Sequence, residues 1–183
     1  MPLEVVPPIS ALKASYPTPD RYDRAALYKQ FGMEAPAGEA WLNTCAVRMS
    51  YCLLKCDITL GKEPGRGRET VIRTGPYEGK DFWLSRKNLA DRVEKLFGKP
   101  TYTGQSSTID LETLKSKIGT TGGIISYGKL EAEGSEGEYP GGHIDVVYYW
   151  ESFWFWSGYS LMGQDFDRMS RRAVEIKFWK SGG

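Results

Sequence analysis

Helical spacing of apolar residues dominates the first part of this 183-residue chain and β-branched runs dominate the last third, an order that leaves few folds open. Ala46, Met49, Leu53 and Cys56 recur at a helix period behind Asn43 or Thr44, either of which suits an N-cap. The spacing predicts a helix that crosses the core with Cys45 in its first turn. Asp23 caps an earlier segment through Ala25, Ala26, Leu27, Tyr28 and Phe31, with Gly32 as its stop. Ser85 caps another that carries Leu89, Val93, Leu96 and Phe97 and ends at Gly98-Lys99-Pro100; a short one covers 110–118. Strand signals follow: a buried strand over 122–127, a hairpin from 143–150 and 153–156, and a final strand over 174–179. Two Gly-rich stretches, 57–80 and 129–142, read as a long mobile loop and an acidic solvated loop. Helices first and an antiparallel sheet after give an α+β fold, one domain over residues 1–183, with the Cys45 helix packed on the sheet.

A chain this long can bury about 70% of the surface its unfolded state exposes. Its 24 Lys and Arg against 23 Asp and Glu give a formal charge of +1, without the basic surplus of a nucleic-acid binder. No apolar run approaches the roughly 18 to 20 residues that span a bilayer, so no membrane insertion is expected. The opening residues, Met1 to Pro8, have neither the basic nor the apolar region of a secretory signal peptide. A protein of this kind working outside the cell that makes it needs another export route. Three cysteines (Cys45, Cys52, Cys56) and one histidine (His143) do not supply the paired ligands of a structural zinc site. There is no phosphate loop, and Gly158-Tyr159-Ser160-Leu161-Met162 lacks the second glycine of a nucleophile elbow, so neither metal nor cofactor is expected.

Cys45 at a helix start gains from the positive end of the helix dipole, which favours a thiolate; the plain alternative is a buried structural thiol. Gly141-Gly142-His143-Ile144-Asp145 puts the sole imidazole at the start of a β-branched strand, where it could equally be a capping or surface group. Together, a cysteine at a helix start and a histidine at a strand start about 100 residues on reproduce the order of papain-like hydrolases. Cys52 and Cys56, four apart, read as two core thiols, since an intrahelical bridge would be strained. Arg48 reads as a structural ion pair or a contact for a substrate carboxylate. The aromatic run Tyr148-Tyr149-Trp150 and Phe153 to Trp156 fits a hairpin with one core face, or a surface that grips sugar or a partner.

Asn43-Thr44-Cys45-Ala46-Val47-Arg48-Met49-Ser50-Tyr51 resembles the nucleophile motif of the type VI secretion amidase effectors, family four, which are NlpC/P60-like peptidoglycan cysteine peptidases. Phe82-Trp83-Leu84 through Pro100, Gly123-Ile124-Ile125 and Gly142-His143-Ile144 are similar to further family segments in the same order, so that the likeness covers about 40–160. The resemblance implies a papain-like NlpC/P60 core and cleavage of the γ-D-glutamyl–diaminopimelate bond of the stem peptide. It also implies type VI delivery into a competitor's periplasm, and a cognate immunity protein. Cys45 and His143 take the catalytic places. The family's third residue, an Asp on the next strand, aligns near Ser157, where this chain has no carboxylate. Asp145, two residues along the strand from His143, is named as third member because only it restores the charge, with Ser157 as the alternative. Another thiol enzyme on this scaffold (an acyltransferase or deamidase) and a non-enzymatic aromatic-rich binding domain remain the rival readings.

Overall fold

Local capping sets where the helices begin. The computed structural model describes residues 3–37, 43–128, 142–150, 154–157 and 164–182, with only the backbone described for 150, 154–157, 164, 165 and 168. Helix α1 (Ile9–Ser15) starts behind Pro8, whose φ of −54° is already helical. Helix α2 (Arg24–Lys29) is capped by Asp23, which accepts from the Ala26 N–H at 2.7 Å. Helix α3 (Cys45–Lys55) buries every side chain except Tyr51 and Lys55. Ser85 caps α4 (Arg86–Phe97), which stops at Gly98 with φ 86°, and Asp110 caps α5 (Leu111–Ile118). The remaining elements are α6 (Gln164–Arg172) and strands β1 (Tyr102–Gln105), β2 (Gly123–Tyr127), β3 (His143–Trp150), β4 (Trp154–Ser157) and β5 (Glu175–Lys180).

The five strands form one antiparallel sheet in the order β1-β5-β2-β3-β4. One face packs on α1, α3 and α4 through Leu12, Met49, Leu53, Leu89 and Val93 against Ile124, Ile144, Val146 and Trp179. The other packs on α5 and α6 through Leu114, Ile118, Phe166 and Met169 against Ile125, Val147, Ile176 and Phe178. Covering on both faces explains why β2 is buried at every position, Ser126 included. A third cluster seats α2 on the outer side of α3 through Leu27, Tyr28, Phe31, Val47 and Phe82. The expected helices, the hairpin and the final strand are all present. α1, β1 and α6 escaped the sequence reading. β1 holds Thr, Gly and Gln in four residues, and α6 is mostly polar, so neither carries a clear apolar period.

The 57–80 stretch is a correction: it is fastened, not loose. Glu63 is fully buried and its carboxylate accepts from the Leu84 N–H (2.8 Å), the Ser85 N–H (3.0 Å) and Asn88 Nδ2 (3.0 Å), with Arg66 3.8 Å away. Trp83 Nε1 donates to the Gly61 carbonyl at 2.7 Å, and Val71 bridges to Asp81 across a small hairpin whose Ile72 is buried. One buried acid at the head of α4 thus adds to the buried Leu60 and Ile72 as an anchor of this stretch, where glycine and charge content conceal all three. Removing it leaves two backbone donors unsatisfied, so Glu63→Ala is expected to lose about 2–4 kcal/mol in urea unfolding, with Glu63→Gln nearer native. Most of the acidic loop, 129–141, lies outside the described residues, as do Phe153 and the side chains of Trp150 and Trp154 to Trp156.

Candidate functional site

Cys45 opens α3, and the residue that fixes this helix start is Asn43. Thr44 occupies the N-cap without a side-chain cap bond, whereas Asn43 Oδ1 accepts from the Cys45 N–H at 3.1 Å. The same amide reaches across the fold: Asn43 Nδ2 donates to the Gly142 carbonyl at 3.3 Å, joining the helix start to the residue before His143. Gly142 has φ 77°, and a Cβ there would stand 2.4 Å from the Tyr127 and Gly128 carbonyls. Only glycine lets the chain enter β3 this close to β2.

His143 and Asp145 are both fully buried. His143 Nε2 donates to Asp145 Oδ2 at 3.2 Å, and Asp145 Oδ1 accepts from the Val146 N–H at 2.7 Å, which holds the carboxylate in place. The His143 ring lies nearly parallel to Tyr127, 21° between planes and 6.4 Å between centroids. Burial works to lower the imidazole, but hydrogen bonds to Asp145 and Cys45 and the charges of both outweigh it, raising it from 6.5 to about 10. The imidazolium form of the ring is thereby favoured. Cys45 is itself buried, so the three groups share a medium in which their charges act strongly on one another.

Strand β4 pairs with β3 only over residues 147–150, placing Ser157 opposite Val147. Four residues of strand, about 13 Å, therefore separate its backbone level from that of His143. Its side chain lies outside the described residues. Of the two residues considered for the third place, Asp145 is the one brought to the imidazole.

The other singled-out residues do different work. Arg48 is buried and donates through Nε to Thr44 Oγ1 (2.9 Å) and through Nη1 to the Pro17 carbonyl (2.5 Å), fastening the N-terminal segment to α3. Cys52 and Cys56 are free thiols. Cys52 is buried with its Sγ 3.4 Å from the Leu12 carbonyl, and Cys56 is half-buried, 3.6 Å from Ser15 Oγ. Hydrogen bonding from Cys52, opposed by burial, brings the Cys56 thiol down to about 7. Tyr16 was not anticipated. It is buried beside Asp145 and Cys45, and burial followed by those two charges pushes its phenol well above 10. Its position in the Pro-rich lead gave no sign of this. Among the described residues no cluster of His, Cys, Asp and Glu could hold a metal ion.

A helix-borne thiol next to a strand-borne imidazole that a carboxylate holds can form a thiolate and pass its proton to and from the ring, the equipment of a thiol-nucleophile site. The chain belongs to the family described as type VI secretion system (T6SS), amidase effector protein 4, whose model matches residues 41–179. It is therefore placed among hydrolytic effectors of that secretion system. No curated protein matches. Among solved structures it is similar to the type VI effector Tae4 from Enterobacter cloacae, at 18% identity and TM-score 0.61 over 99% of this chain and 100% of that one. It is also similar to the Tae4-Tai4 effector-immunity complex from Enterobacter cloacae (16%, TM-score 0.56). The corresponding complex from Salmonella Typhimurium gives 14% and TM-score 0.53, and both complexes match over 96% of this chain and 99% of the other. At such identities the structural likeness establishes the shared fold. No helix among the described residues is long and apolar enough to cross a membrane.

Proposed function

We propose that residues 1–183 form a single papain-like, NlpC/P60-type cysteine amidase domain that cuts the γ-D-glutamyl–diaminopimelate bond of the peptidoglycan stem peptide. The observation that carries this reading is the buried Cys45–His143–Asp145 chain of interactions. Asp145 holds Nε2, so Nδ1 is the nitrogen that takes the Cys45 proton. The thiolate attacks the amide carbonyl, and the tetrahedral intermediate collapses as the imidazolium gives its proton to the leaving amine. Water, deprotonated by the same ring, then hydrolyses the thioester and restores the thiol. Asp145 keeps the ring oriented and balances the imidazolium charge, as the acid of a Ser-His-Asp triad does.

As a type VI effector the protein acts as a toxin in the periplasm of the recipient cell. It is neutralised in the producer by a cognate immunity protein, as the Tae4-Tai4 complexes of its structural relatives suggest. Digestion of purified sacculi followed by mass spectrometry tests the reading: products ending in a free D-glutamyl carboxyl are expected, with the rate unaffected by EDTA. Intact sacculi, with acyl transfer or side-chain deamidation elsewhere, would favour the other thiol enzymes. No turnover at all would leave the binding domain.

A further inference from the structure

A cleft of about 370 Å³ opens between α4 and residues 60–64, lined among others by Lys62, Trp83, Asn88, Asp91, Arg92 and Lys95. Asn88, Asp91, Arg92 and Lys95 fall at the i, i+3, i+4, i+7 spacing of one helix face. Arg86, on which the charges of Cys45 and Asp91 both act, falls by helical angle on nearly the opposite side of α4 from the middle of this face. Three cations meet one acid here, in a chain whose overall formal charge is only +1. That acid is already engaged, with Asp91 3.2 Å from Lys87 Nζ and 4.0 Å from Lys177 Nζ. The neighbouring Glu63 is fully spent on the head of α4.

Arg92 is the anomaly. Its Nε is buried and has no hydrogen-bond partner among the described residues, although the side chain lines an open cleft. An orphaned guanidinium N–H is costly, and a turn of the partly exposed Arg92 side chain would present its fork to a planar carboxylate, the group that matches it. The volume suits a small segment rather than a protein face.

We propose that this cleft is an accessory binding site for the free carboxylates of peptidoglycan stem peptides, with Arg92 as the bidentate contact and Lys62 and Lys95 completing its field. It builds on the proposed substrate but not on the chemistry at Cys45. Such a site holds the enzyme on an insoluble, polyanionic polymer between cuts, so its contribution appears on sacculi and not on a soluble fragment.

Co-sedimentation with intact sacculi, in the Cys45→Ala background to prevent digestion, measures binding alone. Arg92→Gln with Lys95→Gln is expected to weaken it about tenfold in low salt, and Lys62→Gln, on the loop and remote from the core, about threefold. In the active protein the double variant should raise KM on sacculi while kcat/KM on a soluble disaccharide-peptide stays within about twofold. Unchanged sedimentation, or equal wild-type binding to glycan strands stripped of stem peptides, would overturn the proposal. A loss of affinity for the immunity protein with sacculus binding intact would do so too. If the protein binds sacculi through Arg92 yet cuts nothing, the accessory site stands and the hydrolase reading falls.

Discussion

Cys45→Ala is expected to lose at least about 10³-fold in turnover of sacculi, whereas Cys52→Ala and Cys56→Ala keep activity within a few-fold of the parent. Cys45 alone stands at the head of α3 beside His143, while Cys52 faces the Leu12 carbonyl and Cys56 closes the far end of the helix. Thiol labelling by itself does not separate them. Cys56 is half-buried and brought down to about 7, so alkylation near neutral pH reports on it as well. The measurement is therefore lysis or product release by each single alanine variant, with labelling repeated in Cys56→Ala. Near-normal cleavage by Cys45→Ala would remove the nucleophile from the mechanism, and with it the reading of the site.

Asp145→Asn should lower kcat by roughly 10² or more, on the order of 3 kcal/mol in transition-state stabilisation, with the fold retained. The chain has one histidine, so its imidazole signals in NMR need no assignment. Burial lowers that ring, and hydrogen bonds and charge from Asp145 and Cys45 raise it to about 10. Losing the carboxylate charge should bring its titration down by at least about one pH unit. Stability follows the same coupling. A ring raised above 6.5 contributes fully below that pH and loses its contribution as pH climbs through about 10, so the parent should weaken over that interval and Asp145→Asn should weaken less. An unmoved titration together with near-normal kcat would leave a Cys-His dyad.

The sequence displayed what local rules control. Asp23, Ser85 and Asp110 announce their helices because capping is a contact within three residues, and α3 follows from its apolar period. Cys45 and His143 were legible as a pair because each starts an element and the histidine has no competitor. What stayed hidden depends on residues far apart in the chain. Glu63 looks like one more loop charge until α4 arrives to use it, and nothing near Arg48 in the sequence announces its bond to the Pro17 carbonyl. Tyr16 enters the site from a lead with no motif, and the family model itself begins at residue 41. Asp145 could be named from strand spacing, but its hold on the ring depends on Oδ1 being fixed by the Val146 N–H, a turn of the side chain that periodicity does not encode.

The Asn43–Gly142 bond, between residues 99 apart, also bears on folding order. Closing a loop of that length costs the unfolded chain about 4 kcal/mol of configurational entropy. A contact so distant in sequence is gained late, after β2 and β3 have found each other, because shorter loops close first. On that order the thiol and the imidazole are expected to meet only after β2 and β3 have paired. A nascent or partly unfolded molecule carries a cysteine, a helix and a histidine strand without the proximity that joins them, so reactivity at Cys45 can serve as a clock for completion of the native topology.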